Sequence, residues 1–316
     1  MARKIILDCD PGQDDAVAIL LALASPDELE LLAITTVAGN VPLQPTQRNA
    51  RMMCDIAGRQ DILVYAGCAG PIMRTLVTAE AIHGPTGING IDIFEPETPL
   101  QEDHAVDFII DTLMNADEAS ITLVPTGPLT NIATAINREP AILTSIEHIV
   151  LMGGAMREGG NRTPSAEFNI LVDPHAADIV FRCGRPITAM GLDVTHQVLS
   201  TRDRVERIRA LDNPVAVATA GMLSFFDRYD TVKYTSKGAP LHDPCTVAWL
   251  LRPDLFVGKD CNISVETQSE LTMGHTAVDF WHVTDRPINA SWIHAVDADG
   301  FYELLLERLA RYGDSA

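Results

Sequence analysis

Hydrophobic positions along the chain switch repeatedly between two periods. A short β-branched run at residues 4–7 is followed by a helical segment at 16–24. Strand-like runs at 31–37 and 61–65 then bracket a helical stretch at 46–56. The alternation continues with helices predicted at 105–114, 129–136 and 174–181 and strands at 121–125, 148–152 and 187–190. Strands separated by helices of this length need crossover connections, so the pattern predicts an α/β fold with a mostly parallel central sheet flanked by helices. Two more helices, at 213–228 and 241–251, lead to strand-like runs at 262–266, 277–283 and 290–296 and a closing helix at 300–311. We read these last strands as a small β-rich C-terminal appendage. No repeat, low-complexity tract or composition break interrupts the series, and residues 1–316 are expected to form a single domain.

Composition narrows the function classes. The chain is 47% hydrophobic, enough for a large core, and its formal net charge of −20 opposes binding to DNA, RNA or anionic membranes. No apolar run approaches the roughly 18–20 residues that span a bilayer, so a cytoplasmic protein is expected. The six cysteines are scattered without C-x-x-C pairing or zinc spacing and read as reduced, buried thiols.

Against that background one segment stands out. Asp8, Asp10, Asp14 and Asp15 crowd the turn between the first strand and first helix, and no lysine or arginine lies between Lys4 and Arg48 to neutralise them. A Pro11-Gly12 turn and helix-start preferences account for one or two of these acids, but four imply a hard divalent cation held by oxygen. Calcium takes about 6–8 oxygens, so further ligands must come from distant segments. Asp243, in His242-Asp243-Pro244, is one candidate, although aspartate there also suits a helix cap. The turn at Thr126-Gly127-Pro128 offers carbonyls. Glu167, Phe168 and Asn169, with Asn161 upstream, combine hydroxyl-binding groups and an aromatic ring next to a glycine-rich stretch at 153–163. A second irregular stretch, 83–90, begins at His83.

Six segments carry a resemblance. Asp8-Cys9-Asp10-Pro11-Gly12-Gln13-Asp14-Asp15-Ala16, Ala38-Gly39-Asn40, Pro125 through Asn131, Met152-Gly153-Gly154-Ala155, Glu167-Phe168-Asn169 and His242-Asp243-Pro244 resemble, in order and spacing, the motif series of the inosine-uridine nucleoside hydrolases. Within that family, residues 238–245 and 265–268 are most similar to bacterial ribonucleoside hydrolases that lean towards pyrimidines. The resemblance implies the nucleoside hydrolase fold, with Ca2+ held by Asp10, Asp15, the Thr126 carbonyl and Asp243. It also implies ribose contacts from Asp14, Asn40, Asn161, Glu167 and Asn169, Met152 lining the pocket, and a homotetramer. Gln13, where relatives often have histidine, Glu80-Ala81, where Asp-Asn is common, and a glycine loop one residue longer depart from the family pattern.

The chemistry expected is hydrolysis of the N-glycosidic bond of a free nucleoside. Asp10 is the expected base for the attacking water, with His83, His242 and Tyr229 as candidates for assisting the leaving base. With no arginine or lysine evident for a phosphate, nucleosides are expected to react and 5′-nucleotides are not. Two other readings compete. A magnesium-dependent aspartyl phosphatase also opens with strand-then-D-x-D but needs a downstream lysine, and a non-catalytic nucleoside sensor would bind ribose without requiring a base.

Overall fold

The computed structural model describes residues 2–234 and 238–313, with the side chains of 226–234 outside the description. Twelve strands are present among the described residues: β1 Arg3–Cys9, β2 Leu29–Thr36, β3 Val64–Ala66, β4 Ile121–Pro125, β5 Ile146–Met152, β6 Ile187–Met190, β7 Leu199–Thr201, β8 Gly238–Pro240, β9 Phe256–Cys261, β10 Ile263–Val265, β11 Thr276–Val278 and β12 Ala290–Val296. Eight form the central sheet in the order β3-β2-β1-β4-β5-β6-β12-β9, parallel except for the edge strand β9.

Alternation along β1 explains why both sheet faces are covered. Ile5, Leu7 and Cys9 enter one core with α1 (Gln13–Leu23), α2 (Leu43–Ile56) and the C-terminal helices, while Ile6 points to the other face. There it meets α4 (Ala105–Met114), α5 (Thr130–Arg138) and α7 (Pro174–Phe181), after α3 (Glu80–His83) and α6 (Phe168–Val172) in chain order. A sheet buried on both faces needs near-continuous apolar strands, and β1 and β4 are of that kind. The remaining helices are α8 (Leu192–Thr195), α9 (Arg202–Arg209), α10 (Pro214–Tyr234), α11 (Pro244–Leu251) and α12 (Ala298–Ala310).

The expected alternation is borne out, with one redistribution at the C-terminal end. The last predicted strand, β12, joins the central sheet parallel to β6, and β9 pairs on its other side. β10 and β11 stand apart as a two-stranded antiparallel ribbon, as do β7 and β8 earlier in the chain. The local sequence of β12 does not reveal this, because one partner, β6, lies about 100 residues upstream and the other, β9, is separated from it by β10 and β11.

The strand order fixes where a ligand can bind. From β1 the chain moves outward to β2 and β3, then returns to place β4 on the other flank of β1. The reversal opens a crevice beyond the carboxyl end of β1, and the acidic turn starts there.

Candidate active site

Asp10, Asp14 and Asp15 follow β1, Asn40 follows β2, Thr126 follows β4 and Met152 ends β5, so one edge of the sheet delivers residues from four strands. Asp14 and Asp15 occupy the first turn of α1, and Asp243 immediately precedes α11. Carboxylate oxygens of Asp14, Asp15 and Asp243 all lie within 4.8 Å of one another, and all three residues are buried. Asp10 is not part of this tight group but faces it, and its charge is among those that raise Asp243.

The hydrogen bonds around the acids leave specific atoms over. Asp15 accepts from Gly12 N at 3.0 Å and from the Thr126 hydroxyl at 2.8 Å, with Asn40 Nδ2 at 3.3 Å. Asp10 Oδ2 accepts from Asn40 N at 2.7 Å. Asp10 Oδ1 and Asp14 Oδ1 are buried with no protein partner. Burial raises every one of these acids: Asp14 is pushed up to about 7 and Asp10 and Asp243 well above the usual range, with neighbouring carboxylates adding to the shift in these three, while Asp15 is raised by burial against hydrogen bonds that lower it. Close, buried carboxylates with unpartnered oxygens fit a hard cation, whose charge would restore them to their ionised form.

Two glycines make room for this arrangement. A Cβ on Gly39 would overlap Asp10 Oδ2, and one on Gly127 would overlap Asp10 Oδ1. The Ala38-Gly39-Asn40 and Thr126-Gly127-Pro128 turns therefore grip Asp10 from both sides.

Asp8, whose role was open from sequence, supports the frame. Its Oδ1 accepts from Thr35 Oγ1 at 2.6 Å and Asn131 Nδ2 at 2.8 Å, joining β1 to β2 and α5. Asn131 also donates to the Thr36 carbonyl and accepts from Cys68 N. Asn131→Ala is expected to cost about 1–3 kcal/mol by stranding these buried groups, read as a lower denaturant midpoint.

A small cavity opens beside the acids. Asp14, Asn40, Thr126, Met152, Asn161, Glu167, Phe168, Asn169, His83, His242 and Asp243 all line it. Glu167 begins α6, accepting from the amides of Asn169, Ile170 and Gly154 at 2.8, 3.1 and 2.9 Å, and burial nevertheless pushes it up to about 7. Asn169 Nδ2 donates to the carbonyls of Thr126 at 2.6 Å and Met152 at 3.2 Å, while Asn161 Oδ1 accepts from Phe168 N at 2.9 Å. His83 Nδ1 meets Gln13 Oε1 at 2.5 Å, so the Gln13 departure is coupled to the histidine of the 83–90 stretch. His242 Nδ1 meets Thr195 Oγ1 at 2.7 Å. Burial lowers both histidines, His83 to about 4 and His242 to about 3. Tyr229 lies outside the described side chains.

Five lining residues escaped the sequence reading: Ala79, Ile82, Arg162, His196 and Pro240. The presence of Arg162 corrects the expectation of a site without arginine; it sits exposed on the glycine-rich loop. His196 had a usable signal, since it follows β6 on the same sheet edge as the other site residues. Ala79, Ile82 and Pro240 are apolar and carried none.

Residues 5–303 match the family described as inosine-uridine preferring nucleoside hydrolase. The chain is 52% identical to the uncharacterized protein C1683.06c of Schizosaccharomyces pombe, covering 98% of this chain and 99% of that one. It is 50% identical to the pyrimidine-specific ribonucleoside hydrolase RihA of Photobacterium profundum, covering 99% and 100%. Among solved structures, the purine-preferring ribonucleoside hydrolase from Gardnerella vaginalis superposes with a TM-score of 0.91 at 36% identity, over 99% of this chain and 100% of that one. The acidic crevice, the cavity beside it and these matches along nearly the whole chain lead to one assignment: the chain belongs to the inosine-uridine preferring nucleoside hydrolase family.

Proposed function

We propose that the chain is a calcium-dependent hydrolase that cleaves free pyrimidine ribonucleosides, uridine and cytidine foremost, to ribose and base. The observation that carries this reading is the meeting of Asp14, Asp15 and Asp243, with unpartnered oxygens on Asp10 and Asp14, beside a cavity that Asp14 and Asp243 line together with Asn40, Glu167 and Asn169. The pyrimidine preference draws its support from the 50% identity to RihA, against 36% to the purine-preferring structure.

Asp10, Asp15, Asp243 and the Thr126 carbonyl are the proposed calcium ligands, with Asp14 near enough to Asp15 and Asp243 to share in the site. Calcium held by these residues would supply fixed positive charge for ribose hydroxyls and a water near the anomeric carbon. Asp10 takes the proton of that water at Oδ1, while Asn40 N holds Oδ2 still. Asp14, Asn40, Asn161, Glu167 and Asn169 orient the sugar, and Met152 and Phe168 close its sides. The carboxylates favour the positive charge that develops on the ribosyl ring as the bond breaks. His83, His242 and Tyr229 remain the leaving-group candidates carried from the sequence. We take the working form to be a cytoplasmic homotetramer of single-domain chains.

A reducing-sugar assay on a nucleoside panel, with and without chelator, tests this directly. Ribose release from uridine and cytidine above inosine, abolished by chelator and restored by calcium, is expected. Release that persists in chelator overturns the metal assignment. Uridine 5′-monophosphate is expected to react far more slowly than uridine, because Glu167 and the acids repel a phosphate. Comparable rates that drop selectively in Arg162→Ala would instead make Arg162 a phosphate contact. No lysine is among the described lining residues, which disfavours a phosphatase.

A further inference from the structure

Every backbone amide in the turn after β5, residues 153–157, has a partner. Gly153 N donates to the Met190 carbonyl at 3.0 Å, Ala155 N to Thr276 Oγ1 at 2.9 Å, and Met156 N and Arg157 N to the two oxygens of Asp193, each at 2.7 Å. The amide of Gly154 alone among these is directed to a residue that lines the cavity: it donates to Glu167 Oε2 at 2.9 Å. Glu167 accepts also from the amides of Asn169 and Ile170, but these belong to α6 itself. The bond from Gly154 is therefore the one that ties the carboxylate to the end of β5.

Thr276 fixes the direction of that bond. Its hydroxyl accepts from Ala155 N and donates to Ala155 O at 2.7 Å, so it engages both polar groups of the residue that follows Gly154. The pairing of β5 with β6 reaches only Met152 and Met190, and Thr276 gives Ala155 the two bonds that a neighbouring strand would otherwise make. Gly154 is held at φ +90°, and a Cβ there would come within 3.0 Å of Thr276 Cγ2, so the threonine methyl packs over the same peptide. Thr276 is buried at the start of β11. The chain just before it rests on α6, where a Cβ on Gly274 would meet Leu171 Cα at 2.9 Å. The β10–β11 ribbon takes no part in the central sheet, yet it braces both segments that hold the Glu167 carboxylate.

We propose that Thr276 is a positioning residue for the hydrolysis. By holding Ala155 it keeps Gly154 N on Glu167 and so sets the carboxylate that Glu167 offers to the 5′-hydroxyl of ribose. Contact at the 5′ end then helps to place the anomeric carbon against the water beside Asp10. Thr276 itself touches no reacting atom. This assignment rests on the nucleoside-hydrolase reading, in which Glu167 orients the sugar, and adds to it the group that orients Glu167.

The test compares uridine with 5′-deoxyuridine, which has no hydroxyl for Glu167 to hold. In Thr276→Val, which keeps the branched shape and loses the hydroxyl, kcat/KM for uridine is expected to fall about 10-fold or more, while that for 5′-deoxyuridine stays within about twofold of the wild-type value. Thr276→Ser should recover most of the loss on uridine. Thr276→Val added to Glu167→Gln should cost uridine little beyond Glu167→Gln alone, because both changes act through one contact. Equal losses on the two substrates, no loss on uridine, or additive losses in the double variant would overturn the role of Thr276. Retained cleavage of 5′-deoxyuridine reports that a variant is folded. If Thr276→Val does not fold, Thr276→Ala takes its place in the same comparison, and failure of both to fold would overturn the proposal in favour of a residue that serves the fold alone. Failure of the wild-type protein to release ribose from any nucleoside would be a separate result, against the proposed function itself.

Discussion

Asp10→Asn is expected to lower kcat for uridine by about 10²–10⁴-fold at saturating calcium, with KM changing far less. The substitution keeps the shape of the side chain and one neutral oxygen for the metal, but an amide takes no proton from water. Asp10 sits where such a loss cannot be made up by a neighbour: Gly39 and Gly127 close on its two oxygens, and Asn40 N holds Oδ2 at 2.7 Å. The variant should still bind calcium, measured by calorimetry, since Asp15 and Asp243 remain. Near-full turnover with calcium bound would remove Asp10 from its role as base. Gly39→Ala is a second probe of the same point. The added methyl would push against Oδ2, so activity should fall although no reacting group is removed.

Without metal, the protein is expected to lose stability as pH rises from about 4 to 7, the reverse of ordinary acid denaturation. Asp8, Asp14 and Glu167 are held up to about 7 by burial, and Asp10, Asp15 and Asp243 are raised as well. In the unfolded chain the same groups titrate at their ordinary values of 3.8 for aspartate and 4.5 for glutamate. Across that window the folded state therefore binds more protons than the unfolded state, and each net proton changes stability by about 1.4 kcal/mol per pH unit. His83 and His242 oppose the trend. They are neutral in the fold down to about 4 and about 3, so their contribution is present above the unfolded value of 6.5 and is lost as pH falls. Six raised acids outweigh them. Thermal melts in chelator should show Tm falling from pH 5 to pH 7.5, and calcium should raise Tm most at the upper end, where the acids are ready to bind it. A Tm that rises with pH in chelator would mean that the acids are already ionised and otherwise compensated.

The chain's periodicity was a good guide wherever structure is local. The strands that carry the site, β1, β4 and β5, and the helix α1 that presents Asp14 and Asp15, fall close to where the alternation of 2.0 and 3.6 periods put them. Long-range pairing was less legible: β12 joins the sheet against β6, far upstream, with β9 outside it, and apolar alternation does not encode which edge a strand will join. The acids stood out in the sequence because an excess of uncompensated negative charge needs an explanation, whereas Asn40 and the ribose roles expected of Asp14, Asn161, Glu167 and Asn169 came from the motif resemblance. The cavity's other wall did not stand out, because Ile82, Ala79 and Pro240 are indistinguishable from core residues until the fold brings them to the rim. Arg162 and His196 belong to short connections whose course the sequence left open. The clustering of Asp14 with Asp15 and Asp243 is likewise a fact of the α1 turn and the approach of α11.

The acidic cluster has a consequence for how the protein is made. Asp10 and Asp243 are more than 230 positions apart in the chain, with Asn40, Thr126 and Asn169 in between. During synthesis the first acids emerge long before the last, so an incomplete chain holds Asp8 through Asp15 at a strand end with no finished cation site. Such a chain has good reason to delay packing around β1, and metal capture should coincide with docking of α11 late in folding. Calcium in the refolding buffer is therefore expected to act on the last, long-range step, raising the yield of native protein without speeding the early formation of the sheet.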